Sequence, residues 1–289
     1  MSASIADLRK TIGSAKDLHS VVRTMKALAA SSIAQYEQSV RALDGYYHTV
    51  ELGLSVCIGN QGGGVLPDEH ANGAAEVVVF GSDQGLVGRF NDIVADRAIA
   101  MLAGKGDARV WAVGERVSEP LQDAGLTMAG LLSVPLSVIG ITPLVGQILV
   151  NYDAALRRGE VSELHLVYNR PVAGAVYEPV TQRLLPLDET WRRNLDDIVW
   201  PTHLLPEVMG EITTTLSHFV REYLFVSLFR ACAASLASEN ASRLAAMQRA
   251  DKNIDGLLEE LNANFHRLRQ NEIDEELFDV VAGYEAMVD

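Results

Sequence analysis

A chain of 289 residues that is 48% hydrophobic and 21% charged has the balance of a folded globular protein with one large or two modest domains, and is not a disordered segment. Its 38 Asp and Glu outweigh 24 Lys and Arg, a formal charge of −14 that repels nucleic acid and anionic lipid and points to protein partners. Cys57 and Cys232 lie far apart, with no Cys or His at metal-ligand spacing, so the sequence suggests neither a zinc site nor a disulfide framework and fits a reducing cytosol.

The opening MSASIADLRK carries charges where an export signal needs an apolar core, and no export signal is expected. From Ile5 a seam runs through Leu8, Ile12, Ala15, His19, Val22, Met25, Ala29, Ile33, Tyr36, Val40, Leu43, Tyr47, Val50 and Leu54. Steps of three and four, with one irregularity between Met25 and Ile33, predict a helix of about 55 residues. It should stop at GNQGGGVLP, residues 59–67, where Gly62, Gly63, Gly64 and Pro67 oppose continuation.

Short β-branched strands then alternate with helical stretches. EVVVF (76–80) leads through GSDQGLVG into a helix, RVWAV (109–113) into a short helix, and LTMAGLL (126–132) into an uncharged run. SELHLVYNR (162–170) and residues 176–187 read as two more strands. The alternation predicts a mostly parallel sheet with helices on its faces. No charged side chain occurs from Ala124 to Tyr152, long enough to span a bilayer. Gly130, Pro135, Gly140, Pro143 and Gly146 break that run, so it reads as a buried strand and a buried helix, with no direct transmembrane span.

After Pro206 a second seam includes Val208, Ile212, Phe219, Tyr223, Val226, Ala233, Ala237, Leu244, Met247, Ile254, Leu258, Leu261, Phe265 and Leu268, with no proline from 207 to 289. The expected fold is therefore α/β: an antiparallel coiled coil of long N-terminal (1–60) and C-terminal (205–289) helices plus a central Rossmann-like α/β domain (70–195). Antiparallel pairing follows because both helices join that domain at adjoining ends. The small-residue run LAASS (28–32) should then oppose residues 233–247, where ACAASLASENASRLAAM sits, letting the backbones approach closely. The second helix is longer by about 25 residues. Residues after about 262 are expected to project alone, leaving Phe265, Leu268, Ile273, Leu277, Phe278 and Val281 uncovered, an aggregation hazard unless a partner encloses them.

LRKTIGSAKDLHSVVRTMKALAASS (8–32), SDQGLVGRFN (82–91), RACAASLASENASRLAAMQRADKN (230–253) and LRQNEIDEELFDVVAG (268–283) stand in this order and resemble the signatures of the gamma subunit of F-type ATP synthases. The resemblance implies a rotor shaft that couples ATP synthesis or hydrolysis in a catalytic hexamer to proton or sodium translocation. Implied partners are catalytic and non-catalytic nucleotide-binding ring subunits, an epsilon-type stalk subunit and a membrane rotor ring. It implies no cofactor on this chain, and a place on the cytoplasmic face of the membrane as a peripheral part of a membrane complex. Met25 matches the methionine whose neighbourhood bears on coupling, Glu239 and Arg243 match positions where the shaft contacts its surroundings, and Arg269 and Gln270 match the pair that meets the catalytic subunits. Asp274 stands where Thr is usual and Tyr284 where a small residue is, and SSIAQYEQS lacks the family's basic residues. These departures suggest a divergent branch and leave the transported ion open.

Read without the resemblance, Met25 is a seam residue, Arg269 and Gln270 a solvated face, and Glu239 with Arg243 an i, i+4 pair. His19 reads as a packed seam residue, and Cys57 and Cys232 as small fillers. GSDQGLVG invites a phosphate-loop reading, but its glycine spacing fits neither nucleotide pattern and no lysine follows; a tight turn capped by Ser82 or Asp83 is expected. Two other functions remain open at this level: a static coiled-coil scaffold with an α/β head, and a nucleotide-dependent enzyme using that turn.

Overall fold

A computed structural model describes residues 4–60, 73–104, 107–172, 175–187, 191, 193, 195, 198, 200–202, 204 and 206–288. The glycines and proline expected to end the first helix, Gly62, Gly63, Gly64 and Pro67, lie outside the described residues, as does the side chain of Tyr284. Helix α1 runs Ile5–Asn60 and helix α5 Ile212–Val288. Between them come β1 (Ala74–Phe80), α2 (Phe90–Leu102), β2 (Ala108–Val113), α3 (Glu115–Asp123), β3 (Thr127–Leu132), α4 (Val138–Arg157), β4 (Val161–Val172) and β5 (Ala175–Leu185). The chain divides into two compact units, residues 30–242 and residues 1–29 with 243–289.

Within residues 30–242 the five strands form one sheet in the order β3, β2, β1, β4, β5. The β1–β2, β2–β3 and β1–β4 pairs are parallel, and only β5 runs antiparallel, against β4. Alternation along β1 sorts the two faces. Val77 and Val79 pack with Val94 and Ala98 of α2 and Val117 and Leu121 of α3. Val78 and Phe80 belong to a larger core with Ile141, Val145 and Ile148 of α4, Leu54 of α1, and Tyr223 and Leu228 of α5. Removing such side chains from water supplies the main folding drive.

Helix α4 departs from expectation in one respect. Ile141, Leu144, Val145, Ile148, Tyr152 and Ala155 are buried, but Ile139 and Val150 are 86% and 68% exposed. It is long and apolar enough to cross a membrane by length and composition, yet only a third of its most apolar window is buried. The reason is geometric: the helix covers one face of the sheet, so one stripe suffices, and the opposite stripe stays apolar without being covered.

The small residues of α5 also do something the sequence reading missed. Ser235 Oγ donates to the Phe80 carbonyl at the end of β1 (3.5 Å), Ser238 Oγ to the Asn169 carbonyl in β4 (3.1 Å), and Ser242 Oγ to the Val87 carbonyl. The expectation that this stretch is small in order to meet α1 is therefore incomplete. Its alanines and serines also let α5 lie against the carboxyl ends of neighbouring parallel strands. Between β1 and β4 the strand order reverses, which in open α/β sheets is the crevice where nucleotides bind. Here α5 fills it.

Candidate functional site: a two-helix shaft and its tip

The glycine-rich turn after β1 is the first candidate, and its geometry removes it from nucleotide chemistry. The Ser82 amide donates to Asn91 Oδ1 (2.9 Å), and Asn91 Nδ2 donates to Ser82 Oγ (2.9 Å). Asp83 accepts the Glu115 amide through Oδ1 (3.0 Å) and the Val134 amide through Oδ2 (2.9 Å). Ser82 and Asp83 thus hold the turn itself, and α2 starts after Arg89 without a side-chain cap. Asp83 instead occupies the amide at the start of α3, where an anion would otherwise bind. The shallow pocket beside the turn is lined by Asp92, Glu119 and Asp123 against Arg116, a balance that disfavours phosphate.

The second candidate is the pair of long helices. In residues 30–60 and 212–242 they run antiparallel: Tyr46 Oη donates to Glu222 (2.7 Å), Arg230 reaches Asp44 (3.0 Å), and a Cβ on Gly53 would stand 2.3 Å from the Phe219 ring. Glu239 is buried in this unit, so it presents no open contact face.

In residues 1–29 and 243–289 the pairing is also antiparallel. Val22, Met247 and Ile254 form a small core with Met25, Ala246, Ala250 and Leu258 packed on it. Beside it Asp251 collects cations: Lys26 Nζ at 2.5 Å, His19 Nε2 at 3.0 Å and Arg23 Nε at 3.8 Å, while His19 also reaches Asp255 at 3.2 Å. The Lys26 hydrogen bond, with help from the charges of His19 and Arg23, holds the Asp251 carboxyl below the usual carboxylate range. His19 thus meets carboxylates of the other helix and is not merely a packed residue. Its spacing showed only the seam; the acids facing it come from a helix 230 residues away and carry no local signal. Ligand atoms of His19, Asp251 and Asp255 lie within 4.8 Å of one another, but Lys26 already supplies the neutralising charge at Asp251.

The uncovered tip begins later than expected. Arg9 stacks 5.7 Å over the Phe265 ring, and Phe265 and Leu268 are half-buried. The expectation that nothing in the chain covers those two is corrected, because α1 starts at Ile5 and its first turns reach them. From residue 271 to 282 every side chain is exposed: Ile273 53%, Leu277 60%, Phe278 71%, Val280 71% and Val281 47%. Arg269 and Gln270 are exposed, Met25 and Arg243 half-buried. Leu18, Val21 and Leu28 form a further exposed apolar stripe on α1, each above 50%. The seam reading passed over them because they lie off the seam.

Comparison with known proteins gives this geometry a family. A sequence-family model described as ATP synthase matches residues 4–287. This chain belongs to the ATP synthase gamma family. The gamma chain of Clostridium pasteurianum is 25% identical over 99% of each chain, and that of Desulforamulus reducens 26% over 99% of each. Among solved structures, the rotor of the Euglena gracilis mitochondrial ATP synthase superposes with a TM-score of 0.64 at 16% identity, over 93% of this chain and 98% of that one. The central stalk of the Tetrahymena thermophila enzyme gives 0.55 at 21%, over 80% and 99%. These likenesses show the fold, and the family makes the chain a central-stalk subunit of a membrane-associated rotary ATP synthase complex.

Proposed function

We propose that residues 1–29 and 243–288 turn inside a ring of nucleotide-binding subunits, and that residues 30–242 connect them to an epsilon-type stalk subunit and a membrane rotor ring on the cytoplasmic face. Translocation of protons or sodium ions drives or follows that rotation. The observation that carries the reading is the exposed apolar tip, Ile273 to Val281, on a helix whose earlier turns are packed. Five large apolar side chains in nine residues, all exposed, need a sleeve to be stable in water. Burying each contributes on the order of 1.5 to 3 kcal/mol before ordering costs.

Met25, Arg269 and Gln270 are the coupling contacts in this scheme. Met25 sits on the small core of Val22, Met247 and Ile254, so Met25→Lys places a charge where the coil is thin and costs about 1 kcal/mol or more. The complex should still assemble but hydrolyse ATP with less ion pumping per turnover. Copurification tests the scheme. A tagged chain should bring the ring subunits with it, and the Met25→Lys complex should show a lowered ratio of ions pumped to ATP hydrolysed. A chain that captures no ring, or a variant with an unchanged ratio, contradicts it.

A further inference from the structure

Within residues 30–242, a cavity of about 390 Å³ opens between α1, α5 and the antiparallel edge of the sheet. That volume is in the range of small-ligand sites. Its lining brings together Arg41 of α1, Arg170 of β4 and Arg230 of α5, with Tyr47 and Tyr168 between them and Glu37 as the acid of the wall. In a chain of formal charge −14, three arginines lining one cavity run against the overall composition. We propose that this cavity binds a small multivalent oxyanion, a compound carrying two or more phosphate or carboxylate groups.

The wall offers mostly donors. A guanidinium has five N–H groups in a fixed fork that matches an oxyanion edge, and here each fork is only partly used. Arg41 stands 3.8 Å from Glu37, Arg170 bonds Glu178, and Arg230 reaches Asp44 at 3.0 Å. All three carboxylates are more than 40% exposed, so these pairs are cheap to rearrange. Arg230 also lies 4.6 Å over the Tyr47 ring, which restrains its side chain beside the cavity. The Tyr168 hydroxyl already donates to Gln182 (3.5 Å), so the donors that would hold the anion are the arginine N–H groups. The carboxyl-end crevice of the sheet is filled by α5, whereas this cavity, on the other side of β4, offers both arginine donors and space.

The cavity is independent of the tip and of the ring, so its test needs the full chain alone. Pyrophosphate and citrate serve as the phosphate and carboxylate probes, titrated separately by calorimetry at constant ionic strength. At least one should bind saturably with Kd below about 1 mM, and the tighter of the two names the source chemistry. In the Arg41→Gln, Arg170→Gln double variant that affinity should fall at least tenfold. Both side chains are more than half exposed, so melting should be unchanged and the loss assignable to the cavity. Absence of saturable binding by either probe, or binding that survives the double substitution, overturns the proposal.

Discussion

Residues 30–242 pack small polar residues of α5 against a sheet, whereas residues 1–29 and 243–282 bury only a narrow seam between two helices. In the first unit Ser238 is fully buried and bonded to a strand carbonyl. In the second, Leu18, Val21 and Leu28 stand on the outer side of α1, and Phe278 is 71% exposed. The same two helices supply both units, so helix propensity does not explain the contrast. What differs is the presence of a sheet. Where one is available, small residues bring α5 onto it and the core closes within the chain. Where none is, the two helices cover only a narrow seam, closed by Val22, Met247 and Ile254 and by the charges around Asp251. The apolar remainder is a surface awaiting a partner.

Substitutions that sharpen the contrast differ in size. The largest effect should come from Gly114→Val: Gly114 has φ 112°, and a Cβ there would stand 2.7 Å from the Ser82 backbone. Strained backbone and overlap together should cost about 3 kcal/mol or more, read as a lower urea midpoint, with amides of residues 30–242 losing protection. Next is Ser238→Val, which crowds a closed core and should cost about 1 to 3 kcal/mol. The matching change in the other unit, Leu28→Ser, should stay within about 0.5 kcal/mol while weakening ring assembly. Equal destabilisation by the two would erase the contrast.

A smaller effect is expected at Glu76, which is buried in β1. Burial raises its carboxyl above the ordinary value, against the opposing pull of Arg109 and Trp111. The folded state therefore favours the protonated acid, and this contribution is fully present below the unfolded value and lost as pH rises through the folded one. Glu76→Gln should accordingly stabilise the chain at neutral pH, on the order of 1 kcal/mol, and less in mild acid. Urea titrations at two pH values check the sign. The smallest effect is Asp251→Asn. Its lowered pKa means that stability is present above the unfolded carboxylate value and lost as pH falls through the folded one. The variant should loosen only residues 1–29 and 243–282 in hydrogen exchange at neutral pH, and match the parent in strong acid.

The seams of α1 and α5 were legible because a spacing of three and four needs no tertiary information, and short apolar runs between turn signals marked all five strands for the same reason. Met25 and the tip residues followed from the resemblance and the helix lengths. Other features were not legible. Ser235, Ser238 and Ser242 looked like a helix-packing stripe, and only three dimensions show the strand carbonyls they meet. Phe265 and Leu268 were placed beyond the end of α1 by counting from the domain, an arithmetic that misjudged how far the first turns reach. Asp83 reads as a cap of its own turn, and only three dimensions show that it also holds the start of α3 and the loop after β3. Leu18, Val21 and Leu28 lie at helical spacing beside the main seam, and nothing local distinguishes such a second stripe from scattered surface residues.

The central claim is that the tip serves the complex and not the fold of this chain. Ending the chain after Gln270 removes the exposed Ile273, Leu277, Phe278, Val280 and Val281 and leaves the contact of Arg9 with Phe265 in place. Melting temperature and affinity for the catalytic ring should be measured side by side for the full and shortened chains. The account predicts a melting shift of no more than about 2 °C, with ring affinity reduced at least tenfold, about 1.4 kcal/mol. A large fall in melting temperature with unchanged ring affinity would contradict it.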